Sequence, residues 1–428
     1  SIDRVRTGDA GGLGTAQQIL PYVPIYDADG EFNNNISNPV RDLALQSFNT
    51  EIIRSINSIY TDLTLHKNLK FHTDFGIDFM DQQEDEFNFR NVNQTGSTSS
   101  AWDRTTRVIN WNLNNFLTYE KDWDSKHYFK IMVGQSAQRV KAEGFGLFGY
   151  GFPNDYLTSP SDAPADNQNG YSYETGNGLL SFFSRINYKL KNRYLLGISM
   201  RGDASSRFGP DNKWGFFPAF SAGWIISDEK FMSGSKAVPY LKLSASFGYT
   251  GNDAIPDFAY WSLYSAGFDY ADSSGVAPIQ LDNPNLKWER SQQLDVNVDF
   301  AFFDSKLFGN ITYYRKTSSD LLLFMSLPSS SGYDGVWQNI GQLENWGMEF
   351  SLTSRNINRK FKWETNLNLA FNRNKVLDAA SLPPDAFESG QPGEGRVIEG
   401  YPVGQAFLVE FAGVQAQDGQ IGAYNLDA

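Results

Sequence analysis

Hydrophobic residues in this sequence recur at every second position, over and over. Leu69, Phe71, Phe75, Ile77 and Phe79 interleave with Lys70, His72, Asp74, Gly76 and Asp78. Ile109, Trp111 and Leu113 alternate with asparagines, and Tyr194, Leu196, Ile198 and Met200 alternate with Arg193, Gly197, Ser199 and Arg201. Leu241 to Tyr249 and Leu294 to Phe300 repeat the pattern against Lys242, Ser244, Ser246, Asp295, Asn297 and Asp299. Period two over eight to twelve residues is the signature of a strand, and no comparable stretch has a period of 3.6. The chain therefore reads as all-β. About thirteen strands are expected, near 48–65, 69–79, 105–121, 127–140, 179–190, 193–203, 213–226, 239–250, 289–303, 306–317, 338–354, 360–374 and 404–412.

The connections alternate in length. Tight turns are expected at His66-Lys67-Asn68, Asp122 to Lys126, Lys191-Asn192 and Asp304-Ser305-Lys306. Long polar, Gly-rich loops are expected at 81–100, 141–178, 251–287, 318–337 and 378–400. Short turns at one end and long loops at the other connect an outer-membrane barrel. Strands of this length suit a tilted crossing of the hydrocarbon, which takes about ten residues. The Asp, Asn, Lys and Arg on their polar faces would be costly in a dry core but suit a water-filled lumen. Aromatic residues collect near strand ends (Trp102, Tyr119, Trp123, Tyr188, Trp214, Trp224, Tyr313), where interfacial girdles lie. Thirteen is odd, whereas bacterial single-chain barrels have even strand numbers, so an incomplete barrel is expected.

Composition narrows the classes further. With 33 Phe, 21 Tyr and 10 Trp in 428 residues, the chain has the means to bury apolar surface and is not a disordered one. The absence of Cys removes disulfide scaffolds, zinc fingers and cysteine nucleophiles. A net charge of −13 argues against a nucleic-acid surface. No apolar run approaches the eighteen residues of a helical span, which leaves a barrel open, since its strands hide apolar residues at alternate positions. On these grounds alone a soluble β-protein competes with the membrane barrel.

Several local motifs dissolve on inspection. Gly144-Phe145-Gly146-Leu147-Phe148-Gly149 fits GxGxxG, but Tyr150-Gly151-Phe152-Pro153 follows and cannot open the helix that a dinucleotide site needs. It reads as a flexible Gly/aromatic loop. Arg201-Gly202-Asp203 reads as a lumen-facing charge pair beside a turn rather than an adhesion motif. Asp27-Ala28-Asp29-Gly30 lacks the remaining ligands of a calcium loop and reads as a turn. His66, His72 and His127 have no ligand spacing, so no metal or cofactor is expected. No nucleophile elbow or triad order can be assembled, and nothing selects a catalytic carboxylate pair, so an enzyme is not expected.

The stretch from Gly178 to Asn252 carries a resemblance. Arg185-Ile186-Asn187-Tyr188, Arg201 with Asp203 to Phe208, Phe217-Pro218, Trp224 and Tyr249 to Asn252 closely resemble the barrel of SusC/RagA-type TonB-linked outer-membrane transporters. A second block agrees: Asn283 to Glu289, Leu327-Pro328, Asn339-Ile340-Gly341 and Asn345 to Glu349. Pro21 to Asn38 is a third, weaker one. The resemblance covers nearly the whole chain. It implies part of a plugged barrel of about 22 strands. The family's N-terminal extension, TonB box and plug are not in this sequence, nor are the terminal barrel strands. Residues 1–428 are thus expected to be one partial barrel domain, the middle and later part of a longer polypeptide.

The function implied is TonB-energised import of a large nutrient, a glycan or an oligopeptide, across the outer membrane of a Gram-negative bacterium. The implied partners are a SusD-like surface lipoprotein, the TonB-ExbB-ExbD complex, membrane lipid, and a second transporter–lid pair to form a dimer. Candidate ligand or lid contacts are Tyr260, Trp261 and Tyr264 in the 251–287 loop, together with Tyr333 and Trp337. For each, plain loop packing competes with a binding role. Two other classes fit the same residues: a passive or secretion-associated outer-membrane barrel, and a soluble β-rich polysaccharide-binding protein.

Overall fold

The structure is a computed structural model that describes residues 22, 24–33, 38–90, 98–124, 126–232, 234–268, 273–380, 395–406, 411–414 and 421–423. Among the described residues a short helix, α1 (Pro39–Ala44), precedes the strands; the Asn38 side chain caps it by accepting the Arg41 N–H at 3.2 Å. The strands are β1 (Gln46–His66), β2 (Leu69–Asn88), β3 (Ser100–Trp123), β4 (His127–Tyr150), β5 (Gln168–Leu190), β6 (Tyr194–Ser205), β7 (Trp214–Ile225) and β8 (Tyr240–Asn252). They continue as β9 (Leu263–Ala266), β10 (Val276–Gln280), β11 (Glu289–Phe302), β12 (Leu307–Ser319), β13 (Leu322–Ser326), β14 (Gly335–Asn339), β15 (Gln342–Asn358) and β16 (Lys362–Asp378). Twelve pair in the order β1-β2-β3-β4-β5-β6-β7-β8-β11-β12-β15-β16, while β9–β10 and β13–β14 form separate hairpins.

Twelve of the thirteen expected strands are thus in one sheet. The thirteenth, 404–412, lies partly outside the described residues; of the rest, Gln405–Ala406 pairs with Gly395–Arg396, and Phe411–Val414 with Ile421–Ala423, in two small separate sheets. Residues 381–394 of the 378–400 loop, and residues 21, 23 and 34–37 of the Pro21–Asn38 block, also lie outside the described residues.

Two expectations need correction. Residues 81–88 and 141–150 and 168–178, expected as loops, continue β2, β4 and β5, which run for 20, 24 and 23 residues. In 82–86 both faces are polar, so alternation disappears while backbone pairing continues; in 141–150 and 168–178 glycines interrupt the pattern and read as loop. The Gly144–Gly149 motif consequently lies on β4 and is not a flexible loop.

Contacts divide the chain into two compact units, 1–60 with 74–113 and 138–177, and 61–73 with 114–137 and 178–428. In the second unit the antiparallel register sorts side chains into rows. Gly223, Ser244, Asn297, Thr312, Glu349 and Ala370 stand directly opposite one another across six strands. One residue along, Trp224, Leu243, Val298, Ile311, Phe350 and Leu369 do the same. Because strand side chains alternate between faces, the first row makes a polar face and the second an apolar one. Hydrogen bonds stitch the polar face: Lys242 Nζ to Asp299 at 3.1 Å, Thr312 Oγ1 to Asn297 at 2.8 Å, and Tyr314 Oη to Asn372 at 2.7 Å. The apolar face keeps Phe220, Leu243, Leu369 and Phe371 exposed, as a lipid-facing surface must.

Tight turns close the hairpins at the expected places. Lys191 and Asn192 have φ of 53° and 56°, the doubly left-handed form that suits the strand twist. Asp27 also makes the expected turn, its Oδ1 accepting the N–H groups of Asp29 and Glu31 at 3.1 Å each.

The first unit shows the same division. Arg54 pairs with Asp78 at 2.9 and 2.6 Å, and Gln138 donates to Asn110 at 3.3 Å, while Phe75 stacks on Trp111 with centroids 6.5 Å apart. A small core of Phe87, Ala101, Phe152 and Ala163 closes one end of the unit.

Candidate functional site

The long connections of the second unit gather around one aromatic core. Phe208 from the β6–β7 connection, Phe217 on β7, and Ile255, Ala259, Leu286 and Trp288 from the β8–β11 connection are all buried together. Trp288 lies 5.3 Å from the Phe208 ring and edge-on to Phe217 at 5.4 Å. Its indole N–H donates to the Lys213 carbonyl at 2.8 Å, the partner a buried Trp requires. A Cβ on either Gly215 or Gly251 would collide with the Phe217 ring, which is why both positions lack a side chain.

Polar side chains tie the loops to this core. Arg207 donates to Asp257 Oδ1 at 3.0 Å and to the Asp253 carbonyl at 3.2 Å, and Ser205 Oγ donates to Asp253 at 2.8 Å. The Gln280 amide donates to three carbonyls in one turn, those of Phe258, Ala259 and Trp261, at 3.3, 3.1 and 2.9 Å. That turn holds Phe258 at φ 63°, a left-handed conformation unfavourable for a bulky residue, so the triple clamp has a cost to offset. Asn283 Nδ2 donates to the Trp337 carbonyl at 2.8 Å, joining the β8–β11 and β12–β15 connections.

The five residues proposed from sequence fall into three settings. Tyr260 and Trp337 are partly buried against the aromatic core, Trp337 also facing Phe324 at 5.6 Å. Trp261 and Tyr264 are exposed, at 49% and 64%. Tyr333 is half-buried in a turn where its N–H donates to Ser331 Oγ at 3.2 Å. Trp261, Tyr264 and Tyr260 share one connection and Tyr333 and Trp337 another. The clamp residues Arg207, Gln280 and Asn283 were missed as functional positions. Only the spacing of polar residues through a long loop could have marked them, and such spacing has no period to detect.

Elsewhere on the polar face of this unit, Arg201 holds Asp203 at 2.8 Å and donates to Ser181 at 2.8 Å, with its guanidinium 5.7 Å over Phe183. This is the charge pair expected of the RGD sequence. His72 bonds Asp62 at 2.8 Å and stacks on Phe116, and His127 bonds Tyr188 at 2.7 Å. Among the described residues no group of three or more His, Cys, Asp or Glu is placed to hold a metal ion.

Long antiparallel strands with one exposed apolar face, one hydrogen-bonded polar face, short turns at one end and structured loops at the other define the wall of an outer-membrane β-barrel. The chain belongs to the TonB dependent receptor-like β-barrel family, whose model matches residues 3–406. That family is one of receptors and transporters, not of enzymes, and its members lie in the outer membrane, so a soluble polysaccharide-binding protein is set aside.

Relatives with characterised names agree. The chain is 34% identical to TonB-dependent receptor P39 of Formosa agariphila, over 93% of this chain and 38% of that protein. It is 31% identical to TonB-dependent receptor SusC of Bacteroides thetaiotaomicron, over 91% of this chain and 40% of that protein. Among solved structures the RagAB peptide transporter matches with a TM-score of 0.85 at 22% identity, over 94% of this chain and 46% of that one, a likeness of fold. The chain spans about two-fifths of the length of the curated relatives it matches.

Proposed function

We propose that this chain forms part of the barrel wall of a TonB-energised importer of a large nutrient, a glycan or an oligopeptide. A SusD-like lipoprotein covers its long loops, TonB-ExbB-ExbD acts through a part of the protein outside these residues, and two transporter–lid pairs assemble into a dimer. The observation that carries this reading is the loop cluster. Three connections are fused over a buried aromatic core, and Trp261 and Tyr264 are left exposed on it. A loop that touched only water would have no use for such rings, and binding residues concentrate on loops held by a rigid scaffold. Kinship with SusC, and a fold like that of the RagAB peptide transporter, favour this over a passive or secretion-associated barrel.

The structure refines the test. Deleting the whole 251–287 loop would remove Ile255, Ala259 and Leu286 from the core, so the variant of choice is Trp261→Ala with Tyr264→Ala in the full-length gene. Growth on the natural cargo, co-purification of the lid protein and heat-modifiable mobility are compared with wild type. Lost growth or lost co-purification with normal mobility supports the reading. Normal growth and co-purification move the binding role elsewhere, and cargo uptake that persists in a TonB-null strain overturns TonB-energised import.

A further inference from the structure

On the polar face of the first unit lies a second set of rings, on strand extensions rather than on loops. Trp102 on β3, Phe148 and Tyr150 on β4, and Tyr171 and Tyr173 on β5 belong to one face. Trp102 and Phe148 lie 4.5 Å apart, and Phe148 stacks on Tyr150 at 5.8 Å. The two tyrosines of β5 lie over the backbone of β4. A Cβ added to Gly144 would stand 2.7–2.9 Å from Cε1, Cζ and Oη of Tyr173; one on Gly146 would stand 2.6–2.9 Å from the same atoms of Tyr171. Gly144 and Gly146 are buried while the rings above them remain 44% and 47% exposed. Each ring therefore rests its back on a glycine and presents its front. The glycines of the discarded nucleotide motif have this use: they let two rings lie flat.

Charged groups border the rings. Arg104 lies 5.8 Å over Trp102 and 3.7 Å from both Glu84 and Glu86, too far for a hydrogen bond to either, and its buried Nε has no hydrogen-bond partner.

The geometry points to a stacking platform for a neutral oligosaccharide. This deepens the importer reading and rests on it. The face of an aromatic ring carries negative charge density and attracts the C–H faces of a sugar ring, while the Glu84 carboxylate and the Arg104 guanidinium at the edge accept from and donate to hydroxyls. An oligopeptide finds less here. It would need free backbone N–H and C=O groups, and β3, β4 and β5 each have a paired strand on both sides. A chain of net charge −13, with two carboxylates beside the rings, also disfavours an anionic glycan.

The test uses the full-length receptor in detergent and titration calorimetry. The probes are maltoheptaose, cellohexaose, xylohexaose and laminarihexaose, with hexa-alanine as the peptide. Tyr171→Leu with Tyr173→Leu keeps bulk over the glycines and removes the ring faces; Tyr171→Phe with Tyr173→Phe keeps the rings. At least one sugar is expected to bind wild type, the Leu pair to weaken it about tenfold, and the Phe pair to stay within about threefold. Should the Leu pair lose native heat-modifiable mobility, Tyr150→Leu replaces it, with about a threefold loss expected. The platform is overturned if no sugar binds, if the Leu pair or its replacement binds like wild type, or if hexa-alanine binding is what falls. TonB-dependent uptake measured on the same variants separates the two readings: uptake that persists with unchanged sugar binding removes the platform and leaves the importer.

Discussion

The side-chain amide of Asn339 grips the main chain of Lys287 from both sides, accepting its N–H at 2.8 Å and donating to its carbonyl at 2.7 Å. The same amide donates to the Asp320 carbonyl at 3.1 Å, so one residue fastens the start of β11 to the β12–β13 connection. Both residues fall in the blocks that resemble the transporter family. Their work is to hold loops together, which differs from touching a ligand.

Asn339→Leu keeps the approximate volume and leaves one N–H and two carbonyls without this partner. Leaving such groups unsatisfied costs about 1–3 kcal/mol. Hydrogen exchange and limited proteolysis should accelerate in residues 253–288 and 320–341, with the barrel's heat-modifiable mobility unchanged. Unaltered exchange in both segments would show that the loops are fastened elsewhere.

Substitution in the two cross-strand rows should give unequal costs. Val298 stands between Leu243 and Ile311, whereas Asn297 stands between Ser244 and Thr312. Val298→Arg places a charge against hydrocarbon and should destabilise by about 2–4 kcal/mol near the midplane. Asn297→Arg points into water and should cost far less. Unfolding in lipid vesicles measures both; equal costs would remove the assignment of faces.

Acid should loosen one turn region before the sheet. In the β7–β8 connection, Glu229 accepts from Tyr194 Oη at 2.6 Å, from Trp224 Nε1 at 3.2 Å and from Arg193 at 3.2 Å. The Tyr194 hydrogen bond first, then those of Trp224 and Arg193, hold its carboxyl below the usual range. A depressed carboxylate contributes stability that is complete above its unfolded pKa, about 4.3, and is lost as pH falls through the folded value. Protection of the 226–239 segment, its exchange corrected for the intrinsic pH dependence of amide exchange, should therefore drop below about pH 4.3 in wild type. Glu229→Gln should exchange faster at neutral pH and flatten the dependence. A wild-type profile flat down to pH 3 would contradict this role.

Strand positions were legible because a wall between lipid and water imposes alternation, as from Leu69 to Phe79 or Leu294 to Phe300. The extensions were not. From Gln82 to Glu86 both faces are polar, because both meet water, and a strand without two environments has no period to read. The aromatic core was equally hidden, since Phe208 and Trp288 are eighty positions apart and only the fold brings their rings to 5.3 Å. Tyr171 and Tyr173 fall in an expected loop because the glycines they cover, Gly144 and Gly146, look like loop glycines in a sequence.

Which face of the sheet meets lipid is tested directly by single-cysteine labelling, the native chain having no cysteine. Asp74 shares its face with Asn112, whose Nδ2 donates to it at 3.5 Å, and Phe75 shares the opposite face with Trp111. In the full-length receptor in its membrane, a water-soluble thiol reagent confined to the lumen should modify Asp74→Cys and spare Phe75→Cys. Modification of Phe75→Cys with Asp74→Cys left unreacted would contradict the account.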